Sequence, residues 1–121
     1  MLITKRGATV FMKNKEIPNY YSVIPAVVRY SKDLSAQEKL LYSEISALTS
    51  AANNYKGYCW ATNRYFAGLY GLTKETISRQ ISKLARYGFI HVEIIYSEDT
   101  NEIEERRIYL TTPNVHRRDG T

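Results

Sequence analysis

The segment 62–89 constrains the fold most, because it contains two short helical patterns separated by one glycine. Thr62 and Thr73 each precede such a pattern, where a threonine oxygen can accept a hydrogen bond from an unpaired amide of the first helical turn. Gly71 is expected to end the first helix, because a residue without a Cβ readily takes the left-handed conformation of a tight turn. The spacing therefore predicts a helix-turn-helix whose second helix ends at Gly88.

The second predicted helix has one apolar and one polar face. Ile77, Ile81 and Leu84 recur at i, i+4 and i+7, so they share a stripe that can pack on the first helix. The opposite face carries three cations and one anion. It comprises Glu75, Thr76, Arg79, Ser82, Lys83 and Arg86. A helical corner with a merely solvated charged face is the alternative, but the spacing and the basic character favour a surface that binds a polyanion.

Composition supports the same class of partner. The chain has 121 residues, of which 44% are hydrophobic and 24% charged, as is typical of one globular domain. Its net charge of +5 favours a polyanionic partner. Cys59 is the single cysteine, so an internal disulfide is excluded and a reducing cytoplasmic location is expected. No stretch approaches the ~18 apolar residues of a membrane span, so no membrane association is expected.

One more long helix is predicted upstream of the helix-turn-helix. Ser35 and Glu38 have the spacing of a capping box, and the helix that follows is expected to reach about Ser50. Leu41, Ile45 and Leu48 define its buried stripe, and Leu40 is expected to broaden it. Residues 58–60 are a short strand candidate, and Cys59 within them is interpreted as a small buried hydrophobe, because the sequence shows no metal-ligand spacing around it.

The chain before this helix has two parts. Residues 1–19 carry four cations, Lys5, Arg6, Lys13 and Lys15, and are interpreted as a basic arm. Such an arm either reaches phosphates or a minor groove, or is a solvated leader that supports a dimer contact. Residues 20–30 are apolar and β-branched, and they are expected to pack as core, with Pro25 in the first turn of a short helix.

Two strands are predicted after the helix-turn-helix. Residues 89–96 alternate apolar and polar positions, and after a turn residues 103–111 return as the second strand. A hairpin directly after such a helix is a wing, so residues 20–111 are predicted to form a mainly α domain with a small β-hairpin, a winged helix-turn-helix. Residues 112–121 are interpreted as a basic tail, where a linker would begin if the natural chain is longer.

A winged helix places the second helix of the helix-turn-helix in the major groove, where residues near its N-terminus reach deepest. Arg79 can pair bidentately with a guanine edge, and Glu75 can accept from a cytosine amine. The predicted base readers are Lys74, Glu75, Thr76, Ser78 and Arg79, and the interface also includes Thr73. The predicted phosphate contacts are Asn63, Arg64, Ser82, Lys83, Arg86, Arg106 and Arg107.

Two features leave alternatives open. The turn of the wing is acidic and repels phosphate, so either only Arg106 and Arg107 touch DNA, or the acidic loop faces a partner or a second copy. The acidic residues are Glu98, Asp99, Glu102, Glu104 and Glu105. The eleven tyrosines either form a stacking platform for bases or pack in the core and interfaces. Their distribution over every element favours packing.

A family resemblance rests on three segments, YYSVIPAVVRYSKDLSAQEKLLYSEISALT, GYCWATNRYFAGLYGLTKETISRQISKLARYGFI and ERRIYL. Over about Tyr20–Leu110 the chain resembles the winged-helix domain of plasmid and phage replication initiators, the replisome organisers of Gram-positive mobile elements. The most specific part is the run of WATN, FA, YG, TK and TISR between Trp60 and Arg79, with Leu84 and Gly88 after it. The resemblance implies origin binding at repeated sites, often as a homodimer, with host replication proteins recruited by a further C-terminal domain.

The leading expectation is therefore sequence-specific binding of double-stranded DNA in replication initiation. A transcriptional repressor of a mobile element would use the same contacts on another target, and a winged-helix module that binds a protein through its acidic wing is the third alternative. No enzyme activity and no cofactor or metal are expected, because the sequence has no glycine-rich nucleotide loop and no metal-ligand cluster. His91 lies on the polar face of a predicted strand and is expected to be solvated.

Overall fold

The computed structural model describes residues 20–50 and 56–111. Within them, helices precede a two-stranded antiparallel sheet. The elements in chain order are α1 (Ala26–Arg29), α2 (Ala36–Thr49), α3 (Asn63–Tyr70), α4 (Lys74–Arg86), β1 (Ile90–Tyr96) and β2 (Ile103–Leu110). This order confirms the predicted mainly α architecture with a small hairpin. The predicted basic arm, 1–19, and basic tail, 112–121, lie outside the described residues.

Side-chain hydrogen bonds start the three longer helices as the sequence predicts. Ser35 Oγ accepts from the Glu38 amide at 3.2 Å, and Glu38 Oε1 accepts from the Ser35 amide at 2.8 Å. Thr62 and Thr73 each accept, through Oγ1, from the amide three residues later at 3.1 Å. Each cap contributes about 0.5–2 kcal/mol, so the starts of α2, α3 and α4 are encoded locally.

The turn between α3 and α4 depends on a left-handed residue. Gly71 has φ 68° and ψ 35°, and the amide of Leu72 donates to the carbonyl of Ala67 at 3.0 Å. Leu72 is half-buried against the core. The chain therefore changes direction at the glycine that the sequence singles out, and this sets the crossing of the two helices.

One apolar core lies where α2, α3 and α4 meet the base of the hairpin. Phe66 of α3 and Ile77 and Leu84 of α4 are fully buried, as their predicted stripes require. Leu41 and Ile45 of α2 are also fully buried and close the same core, whereas Leu40, predicted to broaden their stripe, is 48% exposed. Each such side chain contributes about 1.5–3 kcal/mol on burial. The rotation of α4 about its own axis is therefore determined by its apolar stripe, and its polar stripe must face outward.

The segment 20–30 is much less buried than the sequence predicts. Pro25 precedes α1 as expected, and Val28 is only 1% exposed, but Tyr21 is 95% exposed and most other apolar side chains of the segment are exposed too. Because α1 has four residues, it directs one side chain into the core and lacks a full apolar stripe. The prediction of a core segment is therefore wrong outside Val28 and its half-buried neighbours.

Polar contacts hold this segment on α2. The Tyr20 hydroxyl donates to Glu44 Oε2, and the hydroxyls of Ser22 and Ser43 share a hydrogen bond. From α3, the Tyr70 hydroxyl lies 3.5 Å from Glu44 Oε1. Burial, together with the Glu44 carboxylate, raises the pKa of both tyrosines. These tyrosines therefore act as packed hydrogen-bond donors, as their distribution in the sequence favours.

The hairpin is regular at its base and irregular near its tip. Ile90 faces Leu110 and the register continues to Ile95, which faces Glu105; Tyr96 then faces Ile103. Glu104 is thus an extra residue in β2, which is the arrangement of a β-bulge. The apolar side chains become more exposed toward this end, because the hairpin extends beyond the helical core.

Cys59 forms a single bridge to the hairpin. Its amide donates to the Ile108 carbonyl at 2.9 Å, and the Ile108 amide donates back at 2.8 Å. The predicted strand over 58–60 is therefore reduced to one residue, since the chain soon leaves the sheet to begin α3. Cys59 is fully buried, and burial raises the pKa of its thiol. It is an unreactive core residue, in agreement with the sequence interpretation.

Candidate nucleic-acid interface

The polar face of α4 is open to solvent from its first residue. Lys74, Glu75, Ser78 and Arg79 are exposed, whereas Ile77 between them is fully buried. Ser82 and Arg86 continue the exposed face toward the C-terminal end. Neither the hairpin nor α2 covers this N-terminal half. The structure therefore brings the predicted base-reading positions together on one accessible surface.

Thr76 is tied to its neighbours on this face. Thr73 Oγ1 donates to Thr76 Oγ1 at 3.0 Å, and Arg79 Nη2 donates to the same oxygen at 3.2 Å. A free arginine side chain loses about 2 kcal/mol of rotamer entropy when it is immobilised. Thr76 therefore reduces that loss by holding the Arg79 side chain against the polar face near the start of α4. The structure gives Thr76 a positioning contact in addition to its predicted base reading.

Lys83 is paired with α2. Its Nζ lies 3.1 Å from Glu38 Oε1, the carboxylate that also caps α2. Burial acts to raise the pKa of Glu38, but the Ser35 amide and the Lys83 ammonium outweigh it, and the pKa lies below its usual range. The pair neutralises one of the three predicted cations of this face. The predicted phosphate contact of Lys83 would require DNA to compete with Glu38.

Arg106 and Asn63 bind each other. Arg106 Nη1 donates to Asn63 Oδ1 at 2.7 Å, and Nη2 donates to the Ala61 carbonyl at 2.7 Å. The side chain is partly buried, and burial lowers the pKa of its guanidinium. The sequence predicts that both residues contact phosphates. In the structure they join the wing to the start of α3. Their contacts with DNA stay predictions.

Arg107 lies on the other face of the hairpin. Its Nε donates to Glu105 Oε1 at 2.9 Å, and its guanidinium lies 4.8 Å from the centre of the Tyr58 ring. Tyr58 also contacts Tyr109, with ring centres 5.5 Å apart. The hydrogen bond to Glu105 raises the pKa of Arg107. The guanidinium of Arg107 is thus directed away from α4, and the Glu105 carboxylate of the same strand neutralises its charge.

A groove runs between the helices and the wing. We call it the wing groove; it is lined by Trp60, Arg64, Lys74, Ile103 and Glu104, with Ala61, Thr62, Asn63, Glu105 and Arg106 completing it. Trp60 is 46% exposed and Ile103 is 64% exposed. The sequence analysis placed Trp60 in a strand candidate and in the family pattern, but it assigned no binding role to Trp60 or to Ile103. A tryptophan just before a helix cap was the available signal, but its exposure depends on the wing.

The tip of the wing is acidic and accessible. Glu98, Asp99, Glu102 and Glu104 are all exposed. Within residues 20–50 and 56–111, the ion pairs are Lys83 with Glu38 and Arg107 with Glu105, so these four carboxylates are not in ion pairs. The wing therefore presents net negative charge beside a helix that presents positive charge.

Metal-ligand clusters and membrane-spanning helices are both absent from the described part of the chain. No group of three or more histidine, cysteine, aspartate or glutamate side chains there is arranged to hold a metal ion. No helix among the described residues is long and apolar enough to cross a membrane.

The helices α3 and α4, their glycine turn and the hairpin that follows define a winged helix-turn-helix domain. Residues 32–90, which span α2 to the start of β1, match the model of a family described as a helix-turn-helix domain. The match supports a DNA-binding helix-turn-helix domain; the family description names neither replication nor transcription. Comparison with curated proteins and with solved structures gave no significant match.

Proposed function

We propose that the protein binds double-stranded DNA in a sequence-specific manner, with α4 in the major groove. The observation that carries the proposal is the exposed polar face of α4. Its N-terminal half presents Lys74, Glu75, Ser78 and Arg79 to solvent, while the buried apolar stripe of the helix packs in the core. A major groove admits such a helix and presents a distinct pattern of donors and acceptors for each base pair. The helix-turn-helix family match supports the same partner.

The contacts divide into base readers and phosphate contacts. Arg79, which donates a hydrogen bond to Thr76, can pair with the O6 and N7 of a guanine, a contact that discriminates by about 1–3 kcal/mol. Glu75 is exposed beside it and can accept from a cytosine amine. Of the predicted phosphate contacts, Arg64 and Arg86 are exposed and, within the described residues, outside any ion pair, so they are the best candidates for that role.

The test compares Arg79→Ala with Arg29→Ala. Both remove one exposed arginine, but Arg29 lies on α1, outside the polar face of α4. Fragments bound by the unmodified chain are first selected from DNA of the replicon that encodes it, and affinities are then measured over a range of salt concentrations. Arg79→Ala should lose most of the preference for the selected sequence, whereas Arg29→Ala should retain it. A flat salt dependence of the unmodified chain would contradict DNA binding.

We infer further that the DNA target is a replication origin of a bacterial plasmid or phage, acted on in the cytoplasm by a homodimer. The resemblance of Tyr20–Leu110 to replication initiators supports this target. In such initiators a further domain recruits host replication proteins, so the same resemblance supports those proteins as partners. A repressor would have the same interface but an operator that overlaps a promoter. The positions of the selected fragments separate the two roles, because origin repeats and operators lie in different places. The exposed residues of α4 support binding and suggest no enzymatic step.

The acidic wing supports a third candidate, a module that binds a protein. Four exposed carboxylates at the wing tip would attract a basic partner surface. This candidate predicts that substitution of Glu98 and Asp99 by glutamine and asparagine changes partner binding without reducing affinity for duplex DNA. An unchanged capture of protein partners by that variant would contradict it.

A further inference from the structure

The wing groove has two chemically different walls. On the helical side, Arg64 and Lys74 are exposed cations that lie outside the ion pairs of the described residues. On the wing side, Glu104 and Glu105 supply carboxylates, of which Glu105 is already paired with Arg107. A ligand that fits must therefore place an anion against the helices and a hydrogen-bond donor against the wing.

The space between these walls is apolar. Trp60 and Ile103 both line the groove and both remain substantially exposed. The Lys56 ammonium lies 4.5 Å from the centre of the indole ring, and Tyr58 meets the same ring edge-on at 6.2 Å. These contacts restrict the orientation of the indole. The middle part of the ligand is therefore expected to be flat and apolar on its faces.

Duplex backbone does not satisfy these requirements. Double-stranded DNA carries one negative charge per ~1.7 Å of helix axis, so a backbone that passed through the groove would also place phosphates against Glu104. Its deoxyriboses present no amine to that carboxylate. The volume of the groove, about 500 Å³, lies within the range of ~300–1,000 Å³ that is usual for small-molecule sites, which suits a single nucleotide.

We propose that the wing groove binds an unpaired DNA nucleotide, with its phosphate at Arg64 and Lys74, its base against Trp60 and Ile103, and its exocyclic amine at Glu104. The inference rests on the proposed function, because it takes DNA as the partner. Arg106 holds the two walls together through Asn63 and Ala61, so the groove is formed before any ligand binds. Base stacking on an aromatic side chain tolerates any base, and Glu104 adds selectivity.

Glu104 makes the selectivity predictable. A carboxylate accepts well from the N4 amine of cytosine or the N6 amine of adenine, whereas thymine carries the acceptor O4 at the corresponding position. The groove should therefore prefer cytosine and adenine to thymine. A protein that holds duplex DNA through α4 and an unpaired base through the wing would favour locally opened DNA next to its site.

Trp60 is the only tryptophan of the chain, so fluorescence excited at a wavelength that the eleven tyrosines do not absorb reports on this groove. The 121-residue chain is titrated with a cytosine oligonucleotide of about eight nucleotides, within the ~4–16 nucleotides of known single-stranded sites. A thymine oligonucleotide of the same length and a blunt selected duplex serve as comparisons. The cytosine oligonucleotide should quench the fluorescence to saturation, the thymine oligonucleotide should bind more weakly, and the duplex should bind without a comparable quench.

Variants are measured by anisotropy of a labelled cytosine oligonucleotide. Trp60→Leu should weaken binding roughly tenfold or more, and Ile103→Ser, at a mostly exposed position, gives a second test if Trp60→Leu does not fold. Glu104→Gln should reduce the preference for cytosine over thymine. The matched control Glu98→Gln removes the same charge from the exposed tip outside the groove and should leave that preference unchanged.

The outcomes separate this inference from the proposed function. If the duplex binds but neither oligonucleotide quenches Trp60, the inference is overturned and duplex binding stands. Equal quenching by the blunt duplex would assign the groove to intact backbone, and quenching by a short lysine-rich peptide but by no oligonucleotide would assign it to a protein partner; each result overturns the inference. If neither duplex nor single strand binds, both proposals fail.

Discussion

Replacement of Arg106 by methionine tests whether one arginine joins the wing to the helices. The guanidinium makes hydrogen bonds of 2.7 Å to Asn63 Oδ1 and to the Ala61 carbonyl. Hydrogen bonds that involve a charged group contribute about 1.5–3 kcal/mol each, so the two together set an upper limit of about 3–6 kcal/mol. Methionine leaves both acceptors without this donor while it fills much of the same space.

The expected loss is smaller than this limit, because Arg106 is only partly buried and water can reach part of the site. Removing the charge also relieves the cost of its burial, which is the cause of its lowered pKa. We therefore expect the free energy of unfolding to fall by about 2–4 kcal/mol. For a domain of this size, that corresponds to a decrease in Tm of roughly 10–20 °C.

Urea unfolding followed by circular dichroism measures this loss, with Arg29→Met on α1 as the matched control. A double-mutant cycle with Asn63→Ala should give a coupling energy of about 0.5–3 kcal/mol, since the two side chains contact each other. The reasoning is refuted if Arg106→Met loses less than about 0.5 kcal/mol, the range of ordinary surface substitutions, or if its effect simply adds to that of Asn63→Ala.

Further expectations concern the turn and the α2 cap. Gly71→Ala should lower the free energy of unfolding by about 1–2 kcal/mol, because φ is 68° at this residue. Gly68→Ala should raise the free energy of unfolding by roughly 0.4–1 kcal/mol, because Gly68 lies inside α3 with open space around its Cβ position. The Glu38 charge should stabilise the folded state at pH values above the ordinary pKa of glutamate. This stabilisation should be lost as the pH falls through the lowered pKa of Glu38 in the folded state. Glu38→Gln, which can keep the cap, should remove that part of the pH dependence and, by releasing Lys83, strengthen duplex binding to all sequences alike.

Chemical denaturation of the two glycine variants measures these changes. The free energy of unfolding should fall for Gly71→Ala and rise for Gly68→Ala, and equal changes would contradict the role of the left-handed turn. Stability measured across the acidic range checks Glu38, with Ser35→Ala as the comparison. Ser35→Ala loses part of the same cap but retains the carboxylate and its partner Lys83. If Glu38→Gln and the unmodified chain show the same pH dependence, the assignment to this carboxylate is wrong.

Local features of the sequence determined the helical part of the fold. Thr62, Thr73 and the Ser35–Glu38 pair start their helices through hydrogen bonds to amides only three residues away. Gly71 ends α3 through its own backbone conformation. Such features depend on neighbours in the chain, so they can be read without knowledge of the tertiary structure.

Burial outside these helices was less predictable. The segment 20–30 has the composition of a core element, yet Tyr21 is almost fully exposed because a four-residue helix can bury little. The extra residue Glu104 was also not predicted, because a bulge depends on the register between two strands and not on either strand alone. Both differences concern how elements meet, which composition does not specify.

The sequence by itself determined which residues lie on the polar face of α4, because a helix of known start and period places its side chains in a fixed order. Only the tertiary structure decided which of the predicted cations remain available. Lys83 pairs with Glu38, and Arg106 binds Asn63 across 43 positions of chain, whereas Arg79 stays on the open face. The physical reason is that a charge pairs with whatever lies within a few ångströms in space, and the two long-range partners are set by the packing of the core.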